Sequence, residues 1–136
     1  MKKEFIPYEQ ALELKELGFK EWCFGIFPRE QNEEFTPKLN YIGGISTQIK
    51  FEQSEFQTLA PIFSQAFRWF RKMYGLYHSI TNNVDFGTER NQLDSWYYVI
   101  MVDELFHNDI EKGYYLTYEE TELACLKKLI EIVKNI

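Results

Sequence analysis

Residues 61–75 read PIFSQAFRWFRKMYG, and the fold of the remaining chain follows from what this stretch demands. At about 100° per residue, Ile62, Phe63, Ala66, Phe67, Trp69, Phe70, Met73 and Tyr74 fall on one broad apolar side of a helix. Ser64, Gln65, Arg68, Arg71 and Lys72 fall on the other. Pro61 suits a first helical position, where its missing N–H is not needed, and Gly75 suits a stop. A helix carrying that much aromatic surface must be covered, most simply by a sheet.

Working outward, Pro7 marks a second helix start, with helix predicted over 8–17. Gly18 ends it, and Phe19 can fold back over the last turn. The run WCFGIF at 22–27 predicts a strand, with Gly25 signalling a bulge or a close backbone approach. Residues 28–38 form a polar, acidic loop. Residues 45–51 alternate cleanly, with Ile45, Thr47, Ile49 and Phe51 against Ser46, Gln48 and Lys50. Gly43 and Gly44 fit a two-residue hairpin turn between that strand and 39–42. Residues 52–60 read as a connector into the central helix.

Beyond Gly75, LYHSIT at 76–81 reads as a short strand and 82–95 as a long polar loop. WYYVIMV at 96–102 is apolar on both faces, as a central strand is. Residues 103–112 read as a turn region and 114–116 as a last short strand. Thr117 and Glu120 make a capping box ahead of Leu123, Cys125, Leu126, Leu129, Ile130, Ile132 and Val133, which predicts a closing helix. Helix, strands, helix, strands, helix is an α+β order. The expectation is one domain spanning 1–136, a small, mostly antiparallel sheet packed by about three helices as a single layer pair.

The chain has 136 residues, enough for one domain with a core of its own. Its net charge of −6 and pI near 5.0 argue against general nucleic-acid binding, which needs many phosphate-neutralising cations. Aromatics make up 18% of residues. Either large rings fill a small core, or some are exposed on a binding surface. The N-terminus carries no secretory pattern, and no apolar run approaches the roughly 20 residues of a membrane helix. Soluble behaviour without membrane contact is therefore expected. Cys23 and Cys125 belong to no CxxC or Cys/His cluster, so they read as small buried apolar groups rather than metal ligands, with a long-range disulfide between them as the lesser alternative.

Catalytic signals are sparse. His78 precedes Ser79, and His107 precedes Asn108 and Asp109. No nucleophile-elbow, zinc, EF-hand or phosphate-loop spacing accompanies them. Asp85, Glu89, Asp94, Asp103, Glu104, Asp109 and Glu111 read as solvated loop carboxylates. The candidate ligand-binding set is Arg68, Arg71 and Lys72 on one helical face, with Trp69 at its border to stack on a base and His78 nearby. Two guanidiniums so placed can grip a phosphate or carboxylate. The alternative is a solvated face whose cations suit a helix C-terminus. No catalytic residue, metal or cofactor is assigned.

Three segments together, FIPYEQALELKELGF with the following WCFG, SQAFRWFRKMYGLYHSI, and TYEETELACLKKLIEIVK, resemble a group of small proteins carried by phages and prophages of Bacteroidetes-type bacteria. Residues 28–58 and 82–95 do not carry the likeness. That group has no assigned activity, so the resemblance transfers no site residue. It implies a context: a phage accessory protein made in the cytoplasm of the bacterial host. The first functional expectation is a non-enzymatic binding module for a host protein or a small anionic, nucleotide-like ligand. A structural protein forming homo-oligomers through exposed aromatics is the alternative, and a small hydrolase using His78 or His107 comes third.

Overall fold

A computed structural model describes residues 4–28, 37–39, 41–42, 45–46, 57–82, 96–102 and 105–136, with backbone only at 41–42, 45–46 and 105–114. The elements, in chain order, are α1 (Tyr8–Glu16), β1 (Gly25–Pro28), β2 (Lys38–Leu39), β3 (Tyr41–Ile42), β4 (Ile45–Ser46), β5 (Gln57–Ala60), α2 (Phe63–Tyr74), β6 (Leu76–Asn82), β7 (Trp96–Val102), β8 (Leu105–Tyr115) and α3 (Tyr118–Lys134). The class is α+β, and every strand pair among the described residues is antiparallel. Those strands form separate sheets, ordered β2-β1-β5, β3-β4 and β6-β7-β8. Contacts divide the chain into two compact units, Met1–Ala66 and Phe67–Ile136.

In the first unit, α1 packs on β5 and buries Ala11 and Leu14. Pro7 is its N-cap, with extended backbone, rather than its first helical residue. Its C-terminus closes as the sequence predicts. Gly18 takes a left-handed φ of 96°, its N–H reaches Lys15 O at 3.1 Å, and the Phe19 N–H reaches Leu14 O at 2.9 Å. That is a Schellman closure, sealed by a Phe19 ring that is 1% exposed. The first strand starts at Gly25, later than the sequence suggests. A Cβ on Gly25 would lie 2.9 Å from Lys38 O, so the glycine marks a close backbone approach.

Residues 57–60 are a correction. The stretch read as a connector contains β5, paired with β1 from Pro28↔Gln57 to Gly25↔Ala60. QTLA has no periodicity of its own, and the ladder offered by β1 makes it a strand. The Ile42↔Ile45 pairing has the register a two-residue hairpin requires, although Gly43 and Gly44 lie outside the described residues. So do 47–51 of the predicted alternating strand, 29–36 of the predicted acidic loop and 83–95 of the predicted polar loop. The described ends of those loops differ from the expectation, since Pro28 lies in β1, Lys38 in β2 and Asn82 in β6.

In the second unit, β7 is central, flanked by β6 and β8. Tyr98 and Ile100 are buried and α3 lies across all three strands. The predicted turn at 103–112 is instead largely β8, because β7 presents a full ladder for it to join. Thr117 caps α3, its Oγ1 accepting from the Glu120 N–H at 3.1 Å. Cys125, Leu126, Leu129, Ile130 and Val133 form the helix's buried stripe. Each such aliphatic group removed from water stabilises by about 1.5–3 kcal/mol.

The second helix begins at Phe63, two residues after Pro61, which corrects the expected start. Phe63, Ala66, Phe67, Trp69 and Phe70 are buried, while Met73 is exposed. Gln65, on the polar side of the helical wheel, is also buried at 5% exposure. Its Oε1 accepts from the Ile62 N–H at 3.1 Å and its Nε2 donates to Trp22 O at 2.9 Å. It therefore supplies the reaching-back half of a capping box to the N-terminus of α2.

Candidate functional site

The last two turns of α2 carry Arg68, Arg71 and Lys72, all exposed. Spacings of three and four residues bring them together on one face. Among the described residues no carboxylate pairs with Arg68 or Arg71. Arg71 and Lys72 lie in the last turn, where the helix dipole favours cations. Arg68 stands a turn earlier, where that influence has faded.

Trp69, expected at the border of this face as a stacking platform, is 4% exposed. Its ring meets Phe70 at 5.1 Å and Tyr74 at 5.4 Å, both edge-on. Buried in this way it is core, and it offers no ring face to a ligand. His78 does lie near one of the cations, Arg71. Its imidazole stacks on Phe67, and burial first, then the charge of Arg71, lower its pKa from 6.5 to about 4. It is therefore neutral at ordinary pH and can act as a hydrogen-bonding group next to Arg71.

The imidazole offers little to acid–base chemistry. A base with a pKa near 4 is a weak proton acceptor at neutral pH. Ser79 follows His78 in β6, and successive strand side chains point to opposite faces. The two therefore cannot form a nucleophile–base pair. His107 lies in β8, with its side chain outside the described residues. Among the described residues no group of three or more His, Cys, Asp or Glu could hold a metal, and no helix is long and apolar enough to cross a membrane. Cys23 and Cys125 are buried and free.

No protein-family model matches this chain, and no curated protein or solved structure matches it either. The site stands on its geometry. What the helical wheel could not reveal was the cover over each side of α2, which separates buried Trp69 and Gln65 from exposed Arg68. The partnership of Phe67 with His78, eleven residues apart across a turn, left no periodic signal.

Proposed function

We propose that this protein is a non-enzymatic binding module that captures an anionic partner on the face formed by Arg68, Arg71 and Lys72, with His78 beside it. One observation carries the reading: in a chain of net charge −6, Arg68 and Arg71 are exposed one turn apart with no carboxylate pairing among the described residues. Dipole compensation accounts for the last turn but leaves Arg68 unexplained. Two guanidiniums at that spacing offer forked donors to a phosphate or carboxylate. The sequence resemblance adds a setting, a phage accessory protein acting in the host cytoplasm on a host protein or a nucleotide-like ligand.

The test is a titration of labelled protein with pyrophosphate, followed by NMR on the arginine Nε–H signals. Arg68 and Arg71 should respond, with affinity falling as salt rises. Arg68→Glu should weaken binding by roughly tenfold or more. Silence at both guanidiniums would sink the proposal. The competing assembly reading draws on exposed Trp22, Tyr77 and Tyr118. A native mass in multiples of the chain, lost when those rings are replaced, would favour it instead.

A further inference from the structure

The strand that carries His78 is also an edge strand among the described residues. β6 pairs with β7 from Leu76↔Val102 to Asn82↔Trp96 without a break in register. Among the described residues, nothing pairs with its other side. Edge strands are usually guarded by charges, proline or bulges. β6 reads LYHSITN and has neither charge nor proline. The opposite edge, β8, carries Asp109, Glu111 and Lys112 in its sequence, and its register with β7 shifts twice. The protection is thus one-sided.

The unguarded edge adjoins the basic face. Only Gly75 separates α2 from β6, with a left-handed φ of 64° making the corner. Phe67 rests on His78, and Arg71 is near enough to act on that imidazole. We infer that the edge of β6 left unpaired among the described residues, together with Arg68, Arg71 and Lys72, receives an extended acidic segment of a protein partner as an added strand. This rests on the anion-binding reading above and names the partner's chemistry.

Strand addition draws affinity from main-chain hydrogen bonds and specificity from alternate side chains. Acidic residues at every second position of an extended segment repeat at about 6.8 Å. The helical cations stand about 5–6 Å apart at their Cβ atoms, and flexible arginine stems absorb the difference. A lone phosphate would use the cations but leave the edge open. A second copy of β6 would fill the edge but has no carboxylate to offer the cations.

The probe is a short synthetic peptide of alternating glutamate and valine, added to labelled full-length protein. The backbone amides of residues 76–82 and the guanidiniums of Arg68 and Arg71 should shift together. Arg68→Glu, a lysine–valine peptide, and a glutamate–valine peptide N-methylated at alternate nitrogens should each bind roughly tenfold more weakly. Equal binding of the N-methylated peptide, or unmoved β6 amides, overturns strand addition. If pyrophosphate still binds in that case, the anion-binding reading stands alone. Silence towards both probes overturns both. A doubled mass with protected β6 amides, in the absence of peptide, assigns the edge to a second copy and also overturns the inference.

Discussion

The His78 imidazole lies nearly flat on the Phe67 ring, with centroids 3.8 Å apart and planes 18° from parallel. The contact joins the middle of the aromatic helix to the strand that follows it. It also takes the histidine out of water beside a positive charge, and both effects favour the neutral ring.

That environment makes stability depend on pH. The folded imidazole titrates near 4 against an ordinary value of 6.5. Between those values the unfolded chain binds a proton that the folded chain refuses, so stability rises with pH. The contribution is complete above about 6.5 and drains as pH falls toward about 4. A ceiling of about 3 kcal/mol follows from the shift, and about 1–2 kcal/mol once solvent screening at a half-buried ring is counted. His78→Phe, which keeps the stack and removes the titration, should flatten denaturation midpoints across this window. A ring-proton NMR midpoint at 6 or above would contradict the burial described. Arg71→Gln should raise the midpoint only modestly, because burial is the larger cause.

Gln65 gives a separate prediction. Its amide serves the Ile62 N–H and Trp22 O at once. Gln65→Ala leaves both without that partner and should cost about 1–3 kcal/mol in urea unfolding. Gln65→Glu keeps an acceptor for Ile62 but sets a carboxylate against the Trp22 carbonyl. Its deficit relative to the unsubstituted protein should shrink as pH falls from about 7 to about 4, because a protonated carboxyl can donate. A deficit that does not change with pH would show that the Trp22 contact contributes little.

How far these features could be read from sequence depends on whether they are local. The third helix announces itself through Thr117, Glu120 and an apolar stripe, because caps and periodicity are short-range. Trp96–Val102 is apolar on both faces, so its central place is legible too. Gln57–Ala60 and Leu105–Tyr115 are strands only because a neighbour supplies a ladder. Asp109 and Glu111 even give the latter strand the composition of a turn. The basic face was visible as three cations at helical spacing. The burial of Trp69 and the edge position of β6 among the described strands depend on what packs alongside, which no single segment encodes.

Two glycines separate conformational strain from crowding. Gly18 has a φ of 96° with nothing within 4 Å of where a Cβ would stand. Gly18→Ala should therefore cost about 1–2 kcal/mol from the backbone alone. Gly18→Asn should recover part of that, since asparagine tolerates left-handed backbone. At Gly25 the obstacle is Lys38 O, 2.9 Å from the Cβ position, and a strand must shift to make room. Gly25→Ala should cost about 1–3 kcal/mol, and Gly25→Asn should be no better. Equal rescue by asparagine at both sites would refute the distinction.

The cysteines allow a chemical check on both units. Burial, and then the charges of Glu21 and Glu122, push the thiols of Cys23 and Cys125 up to about 12. Only the thiolate attacks an alkylating reagent, and at pH 8 about one thiol in ten thousand would be ionised at that value. Cys23 lies in the first unit and Cys125 in the second, so the pair samples both. The native protein should resist iodoacetamide at both positions, and urea sufficient to unfold it should expose both to rapid labelling. Mass spectrometry of the digested product assigns each site. Fast native labelling at Cys125 would mean that the buried stripe of α3 opens readily, and fast labelling at Cys23 would mean the same of the packing around β1.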